Sequence, residues 1–417
     1  MSPRAVVAAS SGNVLEWYDF TVYGFLAPTL GKIFFPAADE FTSVLSAFAV
    51  LAVGYIARPI GSVIYGHIGD RLGRKPALLS SVIIMGFGSL AIGLLPTPGQ
   101  IGIAASILLV GIRIVQGISV AGEYTASGVL IVEEAEEKSR GFVGSWIAFA
   151  MIMGCVLGSG VPALVSTFMT AVQLETWGWR VPFLLGSMIA ACSAILRVSL
   201  PESSAFNAEQ GSRASPIAET LRYHWRLILQ MVGLLIPTAV IYFLIFVYAA
   251  SYLTEQAHFS SAAALDITTI NLVVIAFLGL AIGWLSDRVG RRTLFLAGAI
   301  ATVLFAWPLW WLMHRQGVQI VFLGQLGFSA INAVGWALSI TLLTEMAPPG
   351  LRCSTVALGY NLCMALFGGT TPIVATYLVG RTGDDFVPVY YLLVATLISL
   401  LVIVRLPAYG RENRDLP

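Results

Sequence analysis

The chain has 417 residues, of which 57% are hydrophobic and only 11% charged, against about 25% charged in an ordinary soluble domain. Its 23 basic and 22 acidic residues nearly cancel, leaving +1, so there is no basic field to hold a nucleic-acid backbone. So few charges cannot coat a water-facing surface, and the apolar content excludes disorder, which leaves a polytopic membrane protein.

The apolar stretches are unbroken runs rather than short alternating segments, which argues against an outer-membrane barrel. A helix needs about 20 mainly apolar residues to cross about 30 Å of hydrocarbon. In chain order such stretches fall at 13–31, 43–66, 77–96, 101–131, 141–169 and 181–198. They resume at 227–253, 265–286, 293–313, 318–343, 353–378 and 387–405. The sequence therefore predicts an all-α membrane protein with twelve transmembrane helices in two six-helix halves. The N-terminal half is 1–198, a cytoplasmic linker follows at 199–226, and the C-terminal half is 227–417. The linker's polar stretch, Pro201 to Trp225, reads as a flexible connection. Cys155, Cys192, Cys353 and Cys363 lie inside apolar runs without paired spacing and read as small core residues, not metal ligands or disulfides. The first span carries Glu16 and Asp19, which a removable signal peptide would not tolerate.

Orientation follows from Lys and Arg. With both termini and the even-numbered turns on one side, that side collects seventeen, among them Arg71, Arg74, Arg140, Arg197, Arg288 and Arg291. The other side holds four: Lys32, Arg180, Arg315 and Arg381. Both termini are thus expected in the cytoplasm.

Between spans 2 and 3 the chain reads Gly66-His-Ile-Gly-Asp70-Arg71-Leu-Gly73-Arg74-Lys75. Between spans 8 and 9 it reads Gly283-Trp-Leu-Ser-Asp287-Arg288-Val-Gly290-Arg291-Arg292, with five of ten positions identical at an offset of 217. Two parallel six-helix halves are the simplest reading of that repeat. In each loop the glycines permit close packing, and the Asp can cap a neighbouring helix or pair with Arg. A charged latch of that kind suits a cytoplasmic gate.

This loop resembles the signature of the major facilitator superfamily. Gly12-Asn13-Val-Leu-Glu16-Trp17-Tyr18-Asp19-Phe20, Arg58-Pro59-Ile-Gly61, Gln116-Gly117, Gly122-Glu123-Tyr124, Arg140-Gly141-Phe142 and Trp177-Gly178-Trp179-Arg180-Val-Pro182-Phe183 are similar to its metabolite:proton symporter family. That family includes carriers of citrate, α-ketoglutarate, shikimate and proline/betaine. The resemblance implies a bacterial inner-membrane symporter working by alternating access as a functional monomer. It would need a small-molecule substrate, the lipid bilayer and H+ as coupling ion, with no other cofactor.

Ionisable side chains at membrane depth are costly and mark function. Those expected inside spans are Glu16, Asp19, Arg58, Arg113 and Glu123, and no histidine joins them. Protons must then ride on carboxylates. On span 1, Gly12, Glu16, Asp19 and Tyr23 share a face within about 60°, which makes Asp19 the first proton-site candidate and Glu16 the second. On span 4, Arg113, Gln116 and Glu123 share a face within about 80°, but Arg113 and Glu123 are about 15 Å apart along the axis. Each therefore needs a partner elsewhere. Arg113 suits Asp19 or a substrate carboxylate, and Glu123 is a third proton-site candidate. Pro59 beside Arg58 suggests a kink and a structural role.

Tyr23, Tyr124, Gln116 and Arg58 are further substrate-contact candidates in the first half. The second half offers Tyr242, Phe243, Phe246 and Tyr248 on span 7, Asn332 and Trp336 on span 10, and Tyr360 and Asn361 on span 11. Three interior acids against two bases suit an anion or zwitterion moving with protons, and a small di- or tricarboxylate is the expected cargo. A betaine-like cation would want an aromatic cage, for which Trp17, Tyr242 and Tyr248 are available; a proline/betaine symporter is the alternative. Only a short polar tail follows Arg405, without the heptads that mark many osmolyte carriers. A channel explains the loop repeat and buried charges poorly. An enzyme is not expected, since no nucleophile, metal cluster or soluble catalytic domain is visible.

Overall fold

The computed structural model describes residues 3–36, 40–199, 202, 216–249, 261–315 and 317–406. Among them no strand occurs, and twelve long helices follow one another. They are α1 (Pro3–Phe25), α2 (Glu40–Arg71), α3 (Arg74–Gly93), α4 (Ala104–Glu134), α5 (Arg140–Phe168) and α6 (Arg180–Val198). Then come α7 (Trp225–Tyr248), α8 (Ser261–Val289), α9 (Arg291–Met313), α10 (Val318–Met346), α11 (Arg352–Thr382) and α12 (Val387–Arg405). Eleven of these, all but α1, are apolar enough by composition alone to cross a bilayer. Helix α1 falls short because Asn13, Glu16 and Asp19 lower its hydropathy, yet all three are buried. It begins at Pro3 rather than at 13, so Glu16 stands mid-helix and not near a cytoplasmic end.

The chain packs as two compact units, Met1–Glu134 with Ala150–Ile217 and Ala135–Phe149 with Ala218–Pro417. The opening turns of α5 therefore group with the C-terminal unit. Most of the linker expected at 199–226, including Arg213, lies outside the described residues, as does the tail beyond Leu406. Large apolar side chains such as Phe87, Phe168, Ile103, Phe277 and Leu304 are exposed, which is the outer surface a lipid-facing bundle presents. Cys155, Cys353 and Cys363 are buried, but Cys192 is exposed on the outer surface of α6 rather than in the core.

In the N-terminal unit α2 and α4 meet backbone to backbone. A Cβ at Gly117 would lie 2.1 Å from the Gly54 carbonyl oxygen, so only glycine allows that crossing. The C-terminal unit packs α10 against α8 and α9, and α7 against α11 and α12. Two of its helices widen into single π-helical turns, Phe243–Tyr248 in α7 and Met364–Gly368 in α11, which pack together where Gly368 faces the Phe243 ring. Such turns weaken the backbone ladder locally and occur often at functional sites.

Arg197 corrects the sequence reading most sharply. Grouped with the cytoplasmic charges, it is instead fully buried. It sits in the last turn of α6, and helical side chains lean back toward their helix N-terminus, so the guanidinium reaches into the unit. There it grips Glu123 through both terminal nitrogens, Nη1 at 2.7 Å. It also donates to the carbonyls of Ala8 (3.1 Å), Ala9 (2.6 Å) and Leu78 (3.2 Å). Helices α1, α3, α4 and α6 are thus pinned at one point. Gly12 passes directly over this pair, where a Cβ would sit 2.4 Å from Glu123 Oε1. Stripping one partner from a buried pair costs about 3–5 kcal/mol, whereas replacing both with apolar residues is often neutral. Arg197→Leu is therefore expected to lower the thermal midpoint in detergent sharply, and adding Glu123→Leu to recover most of the loss. Equal midpoints for all three proteins would refute the pin.

Candidate functional site

Two further buried acid–base pairs of the N-terminal unit lie along α1. Asp19 is fully buried at the meeting of α1, α3 and α4. Its Oδ2 accepts from Arg113 Nη1 at 3.0 Å and from Gln116 Nε2 at 2.9 Å, and its Oδ1 accepts from Ser89 Oγ at 2.7 Å. Three donors from two helices hold the carboxylate, only one of them charged. Arg113 lies over the Tyr23 ring, 4.0 Å from its centre, and the Tyr23 hydroxyl is buried without a hydrogen-bond partner.

One turn earlier, Glu16 Oε1 stands 3.3 Å from Arg58 Nη2, with both side chains 1% exposed. The contact lacks hydrogen-bond geometry: neither Glu16 oxygen has a partner, nor do Arg58 Nε and Nη1. Arg58 instead lies over Tyr55 (4.5 Å) and Phe20 (5.0 Å). It faces a carboxylate, and the kink expected from Pro59 does not break α2, which runs unbroken through it. Tyr124 is buried close by on α4, next in sequence to Glu123.

Candidates of the C-terminal unit are brought together only in part. Tyr242 meets Trp336 (5.2 Å), Phe243 (5.4 Å) and Phe246 (5.5 Å). With its amide oriented to satisfy both ends, Asn332 donates to the Thr238 carbonyl and accepts from Trp336 Nε1, each at 3.1 Å. Tyr248 stacks on Trp310 rather than joining that cluster. The Asn361 amide donates to the Ala357 carbonyl of its own helix at 3.0 Å.

The repeated loops sit at equivalent places in their units. Gly73 and Gly290 adopt φ of 113° and 102°, a region that favours glycine and that turns the chain into α3 and α9. Asp287 caps the start of α5: Oδ1 accepts from the Gly141 N–H (2.8 Å) and Oδ2 from the Phe142 N–H (2.9 Å). Arg291 Nη2 donates to the same Asp287 at 3.0 Å, while its Nη1 is 3.3 Å from Glu345. A Cβ at Gly141 would lie 2.1 Å from Ser286 Oγ and 2.7 Å from the Gly283 carbonyl, so α5 and α8 touch through their backbones. In the N-terminal unit Asp70 is 3.6 Å from Arg74, which binds Glu133 at 2.9 Å and the Gly69 carbonyl at 2.7 Å. Gly66 is buried, while Arg71 is exposed and Arg288 lies over the Trp284 ring at 3.5 Å.

Three participants were not expected. Glu133 and Glu345 complete the latches, and a second repeat pointed to them: Glu133 precedes Arg140, and Glu345 precedes Arg352, by the same seven residues. Glu202, past the end of α6, accepts from the Arg74 and Lys75 N–H groups (2.8 and 3.1 Å) and so caps α3.

Twelve helices in two units, a duplicated charged loop and paired charges at membrane depth define a multi-pass membrane transporter. The model of the Sugar (and other) transporter family matches residues 5–222 and 208–411, and the chain belongs to that family, within the major facilitator superfamily. It is 36% identical over 410 residues to a proline/betaine transporter of Salmonella typhimurium, spanning 95% of this chain and 82% of the relative. A protein of Staphylococcus aureus named as a putative proline/betaine transporter is 32% identical over 405 residues, 96% of this chain and 87% of its own. In fold the chain is similar to the proton:xylose symporter XylE, with a TM-score of 0.79 at 18% identity over 97% of this chain and 96% of that one. These relatives favour the osmolyte alternative over the expected organic-acid import.

The Asp287 cap yields a direct test. Asp287→Ala removes two charge-assisted bonds and frees Arg291, a loss of about 2 kcal/mol or roughly 30-fold in opening of the α5–α8 contact. A cysteine at Ser145, in a background without the native cysteines, is expected to react that much faster with maleimide in inside-out vesicles. An unchanged rate would show that the cap does not hold α5.

Proposed function

We propose that the protein is a proton-coupled symporter that imports a small zwitterionic osmolyte of the proline or glycine-betaine kind by alternating access. It would sit in a bacterial inner membrane with both termini in the cytoplasm, as the seventeen-to-four distribution of Lys and Arg supports. The cargo rests on the relatives at 36% and 32% identity. Proton coupling rests on one observation: Asp19 is fully buried, yet it is held by two neutral donors besides Arg113.

Ser89 and Gln116 can hold the Asp19 carboxyl without Arg113. Charged, it pairs with Arg113; with a proton bound, it keeps Ser89 and Gln116 as partners while its hold on Arg113 loosens. Glu123 is a poorer proton carrier, because Arg197 saturates both its oxygens. The Asp287 cap and the Arg74–Glu133 and Arg291–Glu345 pairs would serve the cytoplasmic gate, breaking and reforming during each cycle.

Uptake into proteoliposomes under an imposed inward proton gradient tests this reading. Proline or glycine betaine is expected to accumulate. Asp19→Asn should abolish gradient-driven accumulation, at least tenfold, while retaining exchange of labelled for unlabelled substrate. Uptake indifferent to the gradient would end the symport reading, and uptake of citrate or α-ketoglutarate alone would restore the organic-acid one.

A further inference from the structure

The Glu16–Arg58 pair is an anomaly. Two Glu16 oxygens and two Arg58 nitrogens are buried in one place without hydrogen bonds, each an unmet requirement that a folded protein normally fills. The pair is also flanked by aromatic faces. Arg58 lies over Phe20 and Tyr55, and those two rings meet edge-on at 5.1 Å. The unit thus presents a bare carboxylate, a half-used planar guanidinium and two aromatic faces together.

A zwitterion is the one ligand class that answers all of these at once. Once Nη2 leaves Glu16, its carboxylate can take the Nε/Nη2 or the Nη1/Nη2 edge of Arg58 in the bidentate geometry guanidinium favours. Its ammonium can face Glu16 and the rings of Phe20 and Tyr55, as quaternary ammonium groups do. Because the ligand carries both charges, it replaces each partner's counter-ion without changing the net charge at membrane depth. A plain anion would leave Glu16 uncompensated, and a plain cation would leave Arg58 so.

We infer that Glu16 and Arg58, walled by Phe20 and Tyr55, form the subsite that binds the substrate zwitterion by ion-pair exchange, separate from the proton site at Asp19. This inference rests on the osmolyte reading and deepens it. It assigns Arg58 to the substrate carboxylate and leaves Arg113 to Asp19.

The test is charge selectivity, which a merely structural pair would not control. Binding of glycine betaine, its carbon isostere 3,3-dimethylbutyrate and choline is measured on the purified full chain by calorimetry. The unaltered protein should prefer betaine at least tenfold over both. Glu16→Gln should shift the ranking toward 3,3-dimethylbutyrate, and Arg58→Gln toward choline, each by tenfold or more relative to betaine. Tyr55→Leu, which leaves the pair in place, should weaken betaine and choline but not dimethylbutyrate, and so serves even if a charge variant fails to fold. An unchanged ranking in the folded variants, or an equal loss of all three ligands in Tyr55→Leu, overturns the subsite. If betaine uptake still follows the proton gradient in that case, the transport reading survives without it. If the unaltered protein neither binds nor takes up betaine or proline, both fall.

Discussion

A charge held at membrane depth must be compensated there, and the N-terminal unit is organised around that constraint. Three of its acid–base pairs, those around α1, differ in how completely they are satisfied, and the differences sort their roles better than position does. Glu123 and Arg197 saturate one another and three backbone carbonyls as well, so neither can change state without unpinning four helices. Asp19 is fully satisfied, but partly by a neutral hydroxyl and a neutral amide. Glu16 and Arg58 are close but unbonded. A locked, an open and a satisfied pair thus occupy neighbouring turns of α1 and its partners.

The two units repeat one device with different fittings. Arg74 with Glu133 matches Arg291 with Glu345, and a glycine of positive φ precedes each arginine. The acids at the helix starts differ. Glu202 caps α3 within the N-terminal unit, whereas Asp287 of the loop itself caps α5. Deeper in, the C-terminal unit uses amides where the other uses charges. Gln325 donates to the Ile245 carbonyl in the π turn of α7 at 3.0 Å and accepts from Asn271 at 3.3 Å. An amide network fixes a widened turn without creating a site that titrates.

Fold class and helix number were legible because the hydrocarbon sets a length that apolar runs must meet, and the duplicated loop announced the halves. Asp19, Arg113 and Gln116 could be named because helical spacing put each on a polar face, though only coordinates show that they meet. Arg197 was hidden for a definite reason: a residue at a helix end reads as a topology signal, while its side chain leans inward by a turn. Glu133 and Glu345 were readable from their common spacing to Arg140 and Arg352. The count of interior acids and bases that pointed to an organic acid ignores pairing, and the relatives favour the proline/betaine alternative instead. Once Glu123 and Arg197 cancel as a pin, two balanced pairs remain, and these suit a zwitterion better than an anion.

Phe20 joins the two proposed sites. Its ring lies between the guanidinium groups of Arg58 and Arg113, 5.0 and 5.6 Å from their carbons, and stands one residue beyond Asp19 on α1. Under the proposed assignments, a proton arriving at Asp19 neutralises the counter-ion of Arg113 and makes the region around Phe20 more positive. That field favours the carboxylate of a zwitterion on Arg58 and opposes its ammonium. The two ligands therefore help each other where the carboxylate lies nearer Arg113 than the ammonium does, and the protonated state of Asp19 is then easier to keep, since linkage is reciprocal. Proton and substrate then favour one another's binding, which is the condition for moving in the same direction. An arrangement in which the substrate carboxylate displaced Asp19 from Arg113 would load the same proton. It would, however, leave Glu16 and Arg58 facing each other unfilled through the whole cycle. Keeping the two sites on separate pairs, joined by one aromatic ring, gives both the coupling and a use for the pair the fold leaves open.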